Sequence, residues 1–288
     1  MIINNILLDI DNVLVGLVYI IACFIILAIA KYAYGVFHKG INVDDELVEK
    51  DNLSFAVSQV GYYSGILLVL GATLAGVSNG LVNDVIDMGI YGLIGIVLLN
   101  WSMWWTDKVV LPKFNVRKEI IEDRNVGTGV VEGAVAFGNG LILFGVFAVE
   151  QMFSPQVLIY FVGGQFLFLL AAKIYNVITP YDIHEHIEKD NVAVGVGFSG
   201  AIIAVANIVR FALSAEFEGW QDLGLVLLFD FAIALALLPM MRMLVDKILL
   251  PKRKLTDEIV NQDKPNVGAA LIEASAYIGG SILITWCL

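Results

Sequence analysis

Charge is scarce in this 288-residue chain: 16% of its residues are charged, against about 25% in an ordinary soluble domain. The charge it carries is lopsided, with 17 Lys and Arg against 28 Asp and Glu, a net of −11. Nucleic acid is excluded as a partner, because its phosphates need a basic footprint. The two cysteines, Cys23 and Cys287, are too few for a disulfide framework and have no metal-ligand spacing. No glycine loop followed by lysine and serine or threonine is present to cradle a nucleotide. No nucleophile–base motif stands out either, so neither an enzyme nor a cofactor or metal is expected. Apolar residues are abundant instead: 59% are hydrophobic, 27 more are glycine, and mean hydropathy is +0.82. A soluble fold of this length cannot hide that much apolar surface, and disorder is excluded by the same numbers. The lipid bilayer is therefore the first partner the composition implies.

Uncharged stretches mark the spans. Asn12–Ala30, Met88–Thr106, Gln151–Ala172 and Asn191–Val209 are continuous, and Asn52–Asn83 holds one span plus part of a loop. Three more are interrupted by one acid each: Asn125–Val149 by Glu132, Leu223–Met241 by Asp230 and Pro265–Leu288 by Glu273. About 20 residues at 1.5 Å each cross the hydrocarbon, so eight helices are expected. Continuous apolarity without alternation argues against a β-barrel. Sixteen of the 17 basic residues fall in the connections after spans 1, 3, 5 and 7; the other, Arg210, lies within a span. The positive-inside rule then puts these connections in the cytoplasm and both termini outside. The outer side carries Asp9, Asp11, Asp84, Asp87, Glu150, Glu216, Glu218 and Asp222 with no base. Asp9 and Asp11 stand where a signal peptide would be basic, so the first span reads as an uncleaved anchor. Trp101, Trp104 and Trp105 mark one interface, Trp220 and Trp286 the other.

The chain repeats itself four times. Each basic connection ends on an asparagine entering the next span: Asn52, Asn125, Asn191 and Asn266. Asparagine there is an N-cap. Upstream lie the apolar pairs Val43/Leu47, Val116/Ile120, Ile183/Ile187 and Leu255/Ile259, which predict short amphipathic helices on the inner membrane surface. Two, nine and thirteen residues after each asparagine the side chains are small, as in Gly61 and Gly65, or Ala134 and Gly138. These offsets fall within about 40° on a helix, giving a stripe that lets backbones approach in lipid. A longer period overlies this one: the segment from Asp107 to Lys113 recurs from Asp246 to Lys252, with Leu-Pro-Lys closing both. The chain is thus an all-α integral membrane protein of two parallel four-helix repeats, residues 1–149 and 150–288, each made of two hairpins. Parallel repeats relate by an axis along the membrane normal.

Four-span units of two hairpins, each entering a glycine-rich helix through Asn125-Val126-Gly127, Asn191-Val192-Ala193 or Asn266-Val267-Gly268, resemble the YjfL-like family of bacterial inner-membrane proteins (domain of unknown function 350). The resemblance covers nearly the whole chain as two tandem copies, and the first hairpin departs from it with Asn52-Leu53-Ser54. It implies a bacterial inner-membrane location and this topology, and supplies no catalytic residues.

Glu132 and Glu273 share one repeat position, seven residues past the cap, where the other hairpins have Gln59 and Phe198. Seven residues place each about 10 Å inside the boundary. An acid there either carries a heavy cost or stays neutral. Asn139 and Tyr277 lie on the same helix faces, and two glutamates meeting across the pseudo-twofold axis would titrate as a pair. Arg210 and Asp230 are expected at similar depth in one hairpin, as a buried ion pair. His184 and His186 flank Glu185 on the third connection and read as solvated surface. The functional expectation is a conduit or carrier for protons or small cations, with Glu132, Glu273, Asn139 and Tyr277 handling charge. The competing expectation is a non-transporting scaffold that recruits a cytoplasmic protein partner in envelope stress. A homo-oligomer is compatible with either.

Overall fold

The computed structural model describes residues 2–76, 78–112, 115–148, 156–214 and 219–288. Outside them lie Glu150, Glu216 and Glu218 of the acidic loops, Gln151 at the expected start of span 5, and Lys113 of the repeated segment. Among the described residues, eight helices are long and apolar enough to cross a membrane. They are α1 (Ile2–Phe37), α2 (Leu53–Leu74), α3 (Leu81–Val110), α5 (Val126–Phe147), α6 (Gln156–Ile178), α8 (Val192–Leu213), α9 (Trp220–Leu244) and α11 (Val267–Cys287). Between them, at what we call the basic end, lie three short helices, α4 (Val116–Ile121), α7 (Ile183–Glu188) and α10 (Leu255–Val260). A π-helical turn, Asp45–Glu49, takes the same place in the first hairpin.

The cap asparagines work as the sequence predicts. Asn52, Asn125, Asn191 and Asn266 accept from the backbone N–H of Phe55, Thr128, Val194 and Ala269, each satisfying one of the four orphan donors of a helix start. The connecting helices differ from expectation in what they bury. Val116, Ile120, Ile183, Ile187, Leu255 and Ile259 are covered by the protein itself, so these helices close the end of the bundle rather than dip an apolar stripe into lipid.

The helices that follow the caps form a row, in which α2 packs on α5, α5 on α8 and α8 on α11. The small-residue stripe makes the row. A Cβ on Gly61 of α2 would stand 2.0 Å from the Gly133 carbonyl oxygen of α5, and one on Gly200 of α8 would stand 2.3 Å from Cα of Ala274 of α11. Contacts this close admit only glycine, and they bring backbone against backbone over the length of the spans. The other spans bridge the row: α3 lies on α2 and α5, α6 on α5 and α8, and α9 on α8 and α11. Burial follows this placement. The middle helices α5 and α8 are each 83% buried over their most apolar window, while α1 is 11%.

At the acidic end, Asp84 is already engaged. Its carboxylate accepts from Tyr19 Oη at 2.6 Å, Ser78 Oγ at 2.5 Å and the Asn79 N–H at 3.1 Å. It fastens α1 to the α2–α3 loop.

Candidate functional site

Glu273 is fully buried on α11, and its company comes from three elements. Oε1 accepts from Arg242 Nη1 at 2.7 Å and from Tyr277 Oη at 2.8 Å. Tyr277 is one turn further along the same helix, the i, i+4 spacing that stacks two side chains on one face. Arg242 comes from the last turn of α9, and its Nη2 donates to Thr256 Oγ1 of α10 at 3.2 Å. The guanidinium lies 5.6 Å from the Tyr181 ring centroid, and burial pushes the Tyr181 phenol above its ordinary value. Oε2 of Glu273 is buried with no hydrogen-bond partner among the described residues. It faces Gly197 of α8, where a Cβ would stand 2.7 Å away. An arginine–carboxylate contact is among the stronger charge-assisted bonds.

An open cavity of about 540 Å³ reaches this cluster from the basic end, lined by Arg242, Lys247, Lys252, Arg253 and Lys254 among others. Glu273 lies beyond Arg242 and does not line it. On the far side, the space between Tyr175, Phe198 and Leu238 holds about 10 Å³, at the lower bound for a single water.

Glu132 sits in different surroundings. It is buried on α5 at 3% exposure, and the equivalent of Arg242 in the first half is Met103. Asn139, two turns on, accepts from Gln165 Nε2 of α6 at 2.9 Å and donates to Thr106 Oγ1 of α3 at 3.5 Å. Gln59, at the matching position of α2, buries both polar atoms of its amide without a hydrogen-bond partner among the described residues. Buried polar groups thus run through α2, α3 and α5 of the first half, with one acid among them, and reach Gln165 of α6, the first span of the second half.

Opposite Glu273 stands Arg242, and α5 and α11, which carry Glu132 and Glu273, both pack on α8. Two expectations need correction. Arg210 and Asp230 do not pair among the described residues. Arg210 Nε donates to Asn207 Oδ1 at 3.1 Å and the guanidinium sits over the Phe144 ring of α5, while Asp230 is buried on α9. Equal depth in a hairpin put them together on paper, but α8 turns residue 210 towards α5, where its backbone meets Gly145. His184, expected in solvent, is 7% exposed because α7 turns residues 183, 184 and 187 under the bundle.

Arg242 is the residue that counting charges missed, because it was grouped with the other cations of its connection. Aligning the two halves exposes it, since a methionine in one copy is an arginine in the other.

The fold defines a multi-pass helical membrane protein built from tandem hairpin repeats. The chain belongs to the family described as Domain of Unknown Function (DUF350), whose model matches it twice, over residues 7–147 and 149–288. It is similar to a UPF0719 transmembrane protein of Aquifex aeolicus (strain VF5), with 22% identity over 271 residues, 92% of this chain and 97% of that one. No solved structure matches it.

Proposed function

We propose that the protein handles protons or small cations in a bacterial plasma membrane, and that the Glu273–Arg242–Tyr277 cluster is its charge-handling element. The basic end faces the cytoplasm in this reading, as the placement of lysine and arginine favours. One observation carries the proposal: a fully buried carboxylate has one oxygen held by two donors and the other oxygen free, behind an arginine that lines an open cavity. Ionisable groups at membrane depth are costly and mark ion and proton pathways.

The chemistry follows from the two oxygens. With Glu273 ionised, Oε1 holds both Arg242 and Tyr277. A proton arriving on Oε2 removes the charge that holds Arg242, leaving Tyr277 donating to a neutral acid. Arg242 is then free to turn into the cavity, which opens the way between Glu273 and the basic end for the proton to leave. Losing the proton restores the ion pair. Glu132 takes no part in this cycle and belongs with the buried polar groups of the first half.

The test is flux through purified protein in liposomes carrying a trapped pH dye, with parallel arms under sodium and potassium gradients. The wild type should dissipate one of these gradients, and Glu273→Gln should slow the dissipation at least tenfold. A wild type that dissipates none of them contradicts the proposal and favours recruitment of a soluble partner at the basic end.

A further inference from the structure

The row of helices stops at α11 and at α2, and both ends have the form of an unfinished repeat. Three observations recur at the internal joints. The first is backbone register. The residue four past the cap of one helix meets the residue two past the cap of the helix before it: a Cβ on Gly129 would stand 2.3 Å from the Ser54 carbonyl, and one on Gly195 would stand 2.6 Å from the Gly127 carbonyl. Likewise the residue nine past one cap meets the residue eight past the next, as Gly61 meets Gly133 and Gly200 meets Ala274.

The second is a hydrogen bond across each joint from the cap asparagine. Asn52 Nδ2 donates to the Ile120 carbonyl at 2.9 Å, Asn125 Nδ2 to that of Ile187 at 2.7 Å, and Asn191 Nδ2 to that of Ile259 at 3.0 Å. Those three asparagines are 1%, 2% and 7% exposed. Asn266 is solvent-exposed, and its Nδ2 donates only to Glu258 of its own hairpin. The matching acceptor, the Leu47 carbonyl, lies at the other end of the row. Leu47 is also the half-buried member of a set whose other three, Ile120, Ile187 and Ile259, are buried. At the middle joint the Gly127 N–H donates to Asp190 Oδ1 at 3.3 Å. The corresponding groups at the ends are the Gly268 N–H, in a helix turn with no carbonyl behind it, and the exposed carboxylate of Asp51.

The third is the bridging span. Spans α3, α6 and α9 each lie across two members of the row, whereas α1 rests on α2 and α3 and has no second row helix beside it. Exposed leucine and isoleucine mean nothing in lipid, but Gly268, Ser275 and Gly279 of α11 are the fourth copy of a stripe whose other three copies are packed.

We propose that a second copy of this chain completes the joint, with α11 of one copy packing on α2 of the next. Continuity with three established joints fixes the register. Gly268 meets Ala56, Ser275 meets Val60, Asn266 donates to the Leu47 carbonyl, and the Gly268 N–H donates to Asp51. The contact is head-to-tail, so each copy offers one face and receives on another, and repetition about the membrane normal builds a ring where the rotation closes. Small residues drive it as they drive the internal joints, by close backbone packing in lipid.

Disulfide trapping in phospholipid vesicles tests the register, using the full chain with Cys23→Ser and Cys287→Ser as background. Adding Val60→Cys and Ser275→Cys together should yield oxidant-dependent dimers and higher species. Ser275→Cys alone should give none. Linking by Ser275→Cys alone would mean a face-to-face dimer and overturn the proposal, as would no linking by the pair. Light scattering in mild detergent tests the unsubstituted chain: a protein mass of at least twice 31.4 kDa is expected, and a monomer contradicts. Ser275→Trp should reduce that mass to one chain. Leu158→Trp, on α6 in the middle of the row at a 61% exposed site, should leave it unchanged.

Discussion

The two halves of this molecule share a scaffold and differ in their charge. Glu132 and Glu273 occupy one repeat position, and both are buried. Opposite Glu273 the second half supplies Arg242 and Tyr277; the same two places in the first half hold Met103 and Ala136. Backbone geometry was retained, since Gly61 meets Gly133 as closely as Gly200 meets Ala274, while the buried polar chemistry diverged. Duplicated copies that keep their joints but not their charges separate structural positions from those free to acquire a role. The second half carries the Arg242–Glu273 ion pair beside a cavity.

The difference can be broken at its strongest point. Arg242→Met writes the first half's residue into the second and leaves a buried carboxylate uncompensated, which should cost about 3–5 kcal/mol. Denaturation in detergent micelles measures it. The double variant Arg242→Met with Glu273→Gln should recover most of that loss, because a buried pair replaced whole is often near neutral. A double variant as unstable as the single one would show that the two side chains do not act as a pair.

Next come the joints, where the halves should behave alike. Gly61→Ala and Gly200→Ala each push a methyl into backbone, and overpacking of this kind costs roughly 1–3 kcal/mol. Similar losses at both sites are expected, and a large difference would mean that the scaffold is not equivalent. Among the buried polar groups of the first half, Asn139→Ala strands Gln165, and an unsatisfied buried group costs about 1–3 kcal/mol. Its expected signature is lost stability with flux retained.

The caps give the smallest effects. Asn125→Ala removes a cap and a bond across the joint, and should cost about 1–2 kcal/mol. Asn266→Ala in dissociated protein should cost less, because beyond its cap to the Ala269 N–H its Nδ2 donates to Glu258 and makes no bond across a joint. That bond, donated by Asn266, holds the Glu258 carboxyl below its ordinary range. Its contribution is therefore present above the ordinary glutamate pKa and fades as pH falls through the depressed value. In the Asn266→Ala variant this acid dependence should flatten.

Much of the fold was legible because its determinants are local or periodic. Cap asparagines, uncharged runs and the small-residue stripe act within one helix or one repeat, so spans, caps and joints could be read from spacing. The site was less legible, because contacts depend on which face of a helix meets which neighbour. Tyr277 was found with Glu273 since i, i+4 is local geometry. Arg242 was missed because 31 residues separate it from Glu273 and nothing local marks it as turned inward. Arg210 and Asp230 show the converse: equal depth in a hairpin does not bring two side chains together, because α8 turns Arg210 towards α5.

The central claim, that charge handling resides in the second half, is tested most directly by flux through three proteins under identical reconstitution. Wild type and Glu132→Gln should dissipate the same gradient within a factor of about two, on the order of 0.4 kcal/mol in barrier height, while Glu273→Gln falls at least tenfold. Equal loss in both variants, or loss in Glu132→Gln alone, would contradict it.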